Sequence, residues 1–516
     1  MRNRALSVVL VLMVVCLATA AAAQSAADHP TRKLRPEPSE FDFIGYFLTR
    51  SEMTNVYATN EFLKGQVVGR LFGGNTTRTG AVRSRFTEQR FIPLITYTPR
   101  LFDGWAKMRM SFEFDWTWGD ANYGAGGNFG GAYAGDFVNM QTQNLFMEFN
   151  PNRQWYVNVG LQRIFDNVAV PWYTFTDYLL QQGFRLSYFG SDATGVSAHW
   201  FQDTDTRLKA AAWQFYENNT QQDDDVQLLE FQIEKDLDIE TTAGLAFYYC
   251  RDRGNGEGGV SILGQGLNSG LSNYNGVFNF DFGNDDYTAD IFWTGLQFHH
   301  DPLLQQGDFG YSGFVMANYG EARTDFRDVS IAGVGANLRT AWRYGRAGRD
   351  QITVEGIFST GDSNNISDGK YSGVLTGNNW TSPGSVFIGH GLYLLLPHGT
   401  VVNRYNAAVI DLQNIGYGLS AGVLTARREL IPNKLRVEAG TGVGWANAAP
   451  GGVDKFIGWE VNAGIVWTPK VFLDLELHVA NLALGGWYDW DEVNGGQDER
   501  PFDPFTVFAD VKWIMF

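Results

Sequence analysis

Between Ala106 and Trp118 apolar and polar residues alternate without a slip, and this pattern constrains the fold more than any other feature of the chain. Ala106, Met108, Met110, Phe112, Phe114, Trp116 and Trp118 fall on one parity; Lys107, Arg109, Ser111, Glu113, Asp115 and Thr117 fall on the other. A period of two places the two sets on opposite faces of one β-strand. Wound as a helix, the same residues would scatter round every side and leave no apolar stripe. A strand with an aromatic face and a charged face fits a membrane barrel, whose outer wall meets lipid and whose lumen is wet. Turning the strand over would direct its charges into lipid at roughly 2–4 kcal/mol each near the midplane, so the register is strongly specified.

The pattern recurs near the C-terminus. Val437, Ala439, Thr441, Val443 and Trp445 oppose Arg436, Glu438, Gly440, Gly442 and Gly444, and Ile457, Trp459, Val461, Ala463, Ile465 and Trp467 oppose Gly458, Glu460, Asn462 and Gly464. After a turn expected at Thr468-Pro469-Lys470, Leu473, Leu475, Leu477 and Val479 oppose Asp474, Glu476 and His478. Carboxylates are poor strand formers and costly when buried without a partner. On every second residue of adjacent strands they require a hydrated face. The alternative is a soluble antiparallel sandwich, which needs a partner sheet for each aromatic face.

At 516 residues the chain is long for one soluble core and of natural length for one large barrel. Aromatic residues make up 15% of it and glycines number 60, yet its mean hydropathy is −0.21, the average expected of alternating strands joined by polar loops. The first residues read as a cleavable export signal over 1–23: Arg2 and Arg4, the apolar stretch Ala5 to Leu17, then Ala21-Ala22-Ala23. Val15 before Cys16 argues against a lipidated cysteine, and export leaves Cys250 with no intramolecular disulfide partner. The formal charge of −17 argues against nucleic acid as a partner. Residues 24–60 read as an N-terminal lead-in and 61–516 as the barrel.

About eighteen strands (16–18) are expected, the first near 62–72 and the last near 504–516. The all-β antiparallel barrel they form has short turns at one end and long loops at the other. The longest loop, from Gly361 to Leu412, carries the apolar run Val386 to Pro397. Left exposed, such a run is a costly patch. Phe387, Leu392 and Tyr393 are therefore expected to fold inward as a constriction, with a surface flap or extra hairpin as alternatives. The expected lumen lining comprises Lys107, Arg109, Glu113, Asp115, Arg339, Glu355, Arg436, Glu438, Glu460, Asp474, Glu476 and Lys512. Inward glycines on the strands at 435–446 and 457–467 suggest an open path along that side.

Chemical motifs are sparse. Gly418-Leu419-Ser420-Ala421-Gly422 matches a nucleophile-elbow spacing, but that elbow joins a strand to a helix and this stretch reads as continuous strand. Neighbouring histidines in His299-His300-Asp301 point opposite ways on a strand. The acidic stretches Asp223–Asp225 and Asp489–Glu492 read as solvated charge before they read as Ca²⁺ ligands. No cofactor, metal or catalytic residue is expected.

Gly160-Leu161-Gln162-Arg163, closing an early strand, and Ser359-Thr360-Gly361-Asp362, opening the longest loop, resemble the alginate-export family of outer-membrane porins. The resemblance implies an eighteen-strand barrel carrying a polyanion or small solute through an arginine-lined lumen. The residues themselves give a lumen of mixed charge. The expected function is passive passage of small hydrophilic solutes or oligosaccharides across the bacterial outer membrane, or polysaccharide export. The expected partners are outer-membrane lipid and the barrel-assembly machinery. A plugged barrel displaying its loops for adhesion is the alternative.

Overall fold

The computed structural model describes residues 39–58, 69–72, 77–118, 139–163, 192–201, 205–217, 222–255, 280–283, 285–375, 391–396, 406–494 and 500–516, with positions 220, 389 and 496. Alternation resolves among them into eighteen long strands. The first nine are β1 (Phe41–Ala58), β2 (Thr77–Tyr97), β3 (Ala106–Thr117), β4 (Asn139–Phe149), β5 (Trp155–Arg163), β6 (Asp192–Phe201), β7 (Thr206–Tyr216), β8 (Val226–Asp236) and β9 (Thr241–Asp252). The second nine are β10 (Thr288–His300), β11 (Phe309–Arg323), β12 (Asp328–Arg343), β13 (Gln351–Ser359), β14 (Ser420–Ile431), β15 (Leu435–Trp445), β16 (Phe456–Lys470), β17 (Leu473–Leu484) and β18 (Phe505–Met515).

Each strand pairs antiparallel with its neighbours in chain order, and β1 closes the ring by pairing with both β2 and β18. The sheet has no free edge, which a spanning β-structure requires because lipid offers its backbone no hydrogen bonds. Tight connections at 98–105, 237–240, 344–350, 432–434 and 471–472 gather at one end, and the long loops leave from the other. Pro93 lies inside β2, opposite Gly45 of β1; on its other side the pairing with β3 skips Ile92 and Pro93, where the missing N–H would leave a gap in the ladder.

Four readings of the sequence need correction. The stretch 41–58, assigned to the lead-in, is the barrel's first strand and supplies the closing seam. Of the strand expected near 62–72, the described part is Gly69–Arg70 and its turn, and this short strand pairs in parallel with Asn406–Ala407 outside the barrel sheet, so the count of eighteen is made up by 41–58. The strand β16 runs through Pro469 with a register shift between Trp467 and Lys470, and the turn falls at Val471 and Phe472, with Phe472 at φ 66°. The Gly418–Gly422 motif straddles the start of β14, and Gly418 takes φ 68°, a left-handed kink leading into a strand and not into a helix.

Parity sorts the walls. Outward positions carry Leu338, Val354, Phe358, Leu424, Trp459, Trp467, Leu477 and Trp513, all strongly exposed. Inward positions carry charged and polar groups near the tight-turn end. Towards the loop end they become apolar and join one continuous buried cluster with the long loops.

Candidate functional site: the lumen and its in-folded loop

Inward charges from neighbouring strands meet in pairs, because cross-strand partners on one face of an antiparallel ladder lie within side-chain reach. Arg50 of β1 donates to both carboxylate oxygens of Asp510 of β18 at 2.7 and 2.6 Å, across the closing seam. Arg90 of β2 meets Glu113 of β3 at 2.8 Å, and Arg109 of β3 is hydrogen-bonded to Glu148 of β4, with Lys107 at 3.5 Å from the same carboxylate. On β7 and β8, Arg207 pairs with Glu234 and Asp236, and Lys209 with Glu230. Glu438 receives Arg436 at 3.2 Å and lies 3.6 Å from Arg427; Glu476 receives Lys512 at 3.1 Å.

Several of the residues expected to line the lumen are brought together in these cross-strand contacts. Lys107, Arg109, Glu113, Glu438, Glu476, Lys512 and Arg436 form the ion pairs above. Arg339 is buried and sits in register with Glu355. Asp474 accepts a hydrogen bond from Thr468. Asp115 belongs to β3 by its backbone, and its side chain lies outside the described set. The sequence reading missed Arg50, Arg90 and Glu148, and with them Arg207, Lys209, Asp236 and Arg427. The first went with the misassigned lead-in. Glu148 is masked by Phe146, an inward aromatic that breaks the alternation of β4.

The loop after β13 enters the barrel. Glu460, fully buried on β16, accepts the backbone N–H groups of Tyr393, Leu394 and Leu395 at 2.8, 2.9 and 2.6 Å. Glu355 accepts the N–H of Gly389 at 2.9 Å and the amide of Asn337 at 2.6 Å. Asn462 donates to the carbonyl of Gly391, and the Tyr393 hydroxyl lies 2.9 Å from His478 Nδ1. Leu392 and Leu394 to Leu396 are buried; Phe387, expected beside them, lies outside the described residues.

This placement overturns the expected open path along β15. A Cβ on Gly442 would lie 2.6 Å from Leu392, and one on Gly440 would lie 2.8 Å from the Gly391 carbonyl. The inward glycines make room for the loop instead of leaving a void. Further contacts tie the loop to the rest of the lumen. Trp293 Nε1 donates to the carbonyl of Leu375, Ser359 Oγ to that of Leu412, and the N–H of Leu71 in the first loop to that of Ala407. Phe72 packs edge-on against Tyr488, and Tyr417 against Trp487, so three loops meet inside the ring.

The remaining candidate motifs make local contacts. Asp301 caps its turn by accepting N–H groups from Gln305, Gln306 and Gly307. Burial pushes its carboxyl up, but those three donors hold it below the ordinary value. His300 lies 2.9 Å from the Thr241 hydroxyl. Glu217, Asp224 and Asp225 approach one another on the β7–β8 loop, where Asp225 accepts from the amides of Gln214 and Gln227.

The chain is thus a closed eighteen-stranded antiparallel barrel with a charged inner wall and an in-folded loop. No family model and no curated protein matches it. Among solved structures it is similar to Pseudomonas aeruginosa OpdK with vanillate, at 12% identity over 92% of this chain and 98% of that one, with a TM-score of 0.47. It is also similar to a BenF-like porin from Pseudomonas fluorescens Pf-5 (11% identity, 92% and 99% covered, TM-score 0.47) and to Acinetobacter baumannii OccAB1 (10%, 92% and 97%, TM-score 0.45).

Proposed function

We propose that the protein is a passive outer-membrane channel for small hydrophilic solutes, its bore narrowed by the in-folded loop. The observation that carries this reading is the inversion of the walls: charged groups ring the inside while tryptophans, phenylalanines and leucines cover the outside. An eighteen-strand ring is wide enough for an aqueous path. Selectivity then falls to the charges and to the loop. The charges come as pairs, an arrangement suited to polar solutes of either sign and less to a polyanion, which calls for an unbroken basic track. Polysaccharide export is therefore the less favoured form of the reading. Outer-membrane lipid surrounds the barrel, assembly machinery inserts it, and no chemical step is assigned to it.

A plugged barrel displaying its loops is the second reading, favoured by the apolar cluster that joins loop and inner wall. Planar-bilayer recording of the mature chain separates the two. Discrete ohmic steps in potassium chloride are expected; a correctly inserted barrel that passes no current would favour the plugged form.

A further inference from the structure

Within the in-folded segment 391–396, Tyr393 is the one residue with a polar side chain. Glu460 holds its backbone and its leucine neighbours are buried, so what remains adjustable is the tyrosine ring. The Tyr393 hydroxyl lies 2.9 Å from His478 Nδ1 and 3.3 Å from Glu438 Oε1. His478 is 2% exposed, with Nε2 at 2.9 Å from Glu476 Oε2. Gly464, opposite it on β16, makes room for the imidazole: a Cβ there would lie 2.3 Å from Nδ1. On its other side Phe508 of β18 stacks on the imidazole at 4.9 Å and meets the Tyr393 ring edge-on at 5.3 Å.

We propose that His478 is a proton-operated latch on Tyr393, holding the ring to the wall more firmly in acid than at neutral pH. The inference rests on the channel reading and adds its regulation. A carboxylate only accepts, so the neutral imidazole keeps its proton on Nε2, towards Glu476, and its Nδ1 accepts from the Tyr393 hydroxyl. A second proton reverses that bond: Nδ1–H donates to the tyrosine oxygen, and the hydroxyl turns its hydrogen to Glu438. Every donor keeps an acceptor, and the bond to Tyr393 becomes charge-assisted, roughly twice as strong as a neutral one. The charges touching the imidazole are carboxylates, Glu476 and, at 3.6 Å, Glu438. The cations stand behind them: Arg436 and Arg427 on Glu438, and Lys512 on Glu476. Asp510 is bound by Arg50, which lies over the Phe508 ring; Asp474 accepts from Thr468, and Glu460 from the loop backbone. Imidazole is the side chain whose charge ordinarily changes between pH 5 and 8.

A ring that leaves His478 turns into the bore, so unlatching shows as brief steps in the open-channel current. Planar-bilayer recording of the mature chain at about pH 5 and pH 8 counts these steps. Roughly fivefold fewer are expected in acid, the factor gained when a neutral bond becomes charge-assisted. Tyr393→Phe, which keeps the ring and loses the hydroxyl, should flicker equally at both pH values. His478→Gln, whose amide still accepts the hydroxyl but takes no proton, should lose the difference too, while His299→Gln on β10 should keep it. Unheated gel mobility checks that all three variants fold. Unaltered pH dependence in Tyr393→Phe or His478→Gln, more steps in acid, or no pH dependence in the wild type overturns the latch. An inserted barrel that passes no current defeats the channel reading instead, and the latch is then decided by heat conversion of the folded gel band. Tyr393→Phe should lower the conversion temperature more in acid than at pH 8, and an equal drop overturns the latch.

Discussion

Glu460 shows what one inward residue does once a loop has been folded onto it. Its carboxylate takes three successive N–H groups from the Tyr393–Leu395 backbone, donors that the surrounding apolar packing hides from water. Each buried donor left without an acceptor costs about 1–3 kcal/mol. Glu460→Leu should therefore lower barrel stability by roughly 3 kcal/mol or more, read as a drop in the temperature at which the folded gel band converts to the unfolded one. An unchanged conversion temperature would mean that those N–H groups find other acceptors. Single-channel conductance should stay near wild type, because Leu392 and Leu394 to Leu396 are buried at roughly 1.5–3 kcal/mol each and together hold the segment in place. The carboxylate sets where the loop sits; the leucines keep it inside. Parity alone placed Glu460 in the lumen, but its partners lie more than sixty positions away in a non-repeating loop, and no periodicity encodes that contact.

At the scale of elements, the loop is the part whose removal should change function without dismantling the wall. Wall strands are held by their cross-strand ladders, and β13 pairs directly with β14 across the base of the loop. Deleting Gly377–His398 should leave a heat-modifiable barrel and raise its conductance in planar bilayers. If conductance is unchanged and only stability falls, the segment is packing and the narrowest point lies elsewhere. The inward placement of 391–396 was legible because the run from Val386 to Pro397 is too apolar to stay in water. The first strand was not legible, for a related reason. Tyr46 and Leu48 of β1 face the lumen and pack with Ile92 and Leu94 of β2, so 41–48 is apolar on both faces and the two-residue period disappears. At 62–72 the error ran the other way: Leu71 and Phe72 are buried against other loops and not in the wall.

For the whole molecule the question is what field a solute meets. Counting inward residues by parity gives more acids than bases on β15 to β18, with Glu438, Glu460, Asp474, Glu476 and Asp510 against Arg436 and Lys512. Taken alone, that surplus would draw cations. The structure moderates it: Glu438, Glu476 and Asp510 each sit against a guanidinium or ammonium, and Glu460 spends its charge on backbone N–H groups away from the bore. Across the ring, Lys107, Arg109 and Arg207 are likewise paired with carboxylates. Paired charges close together cancel at a distance and leave short-range fields that run across the bore. Reversal potentials in a salt gradient should accordingly show a mild cation preference that fades as ionic strength rises and the residual charge is screened. Neutralising Arg50 should strengthen that preference by leaving Asp510 with only the Lys512 ammonium at 4.0 Å, provided the seam still closes. A strongly anion-selective pore would contradict this distribution of charge and return the substrate to a polyanion.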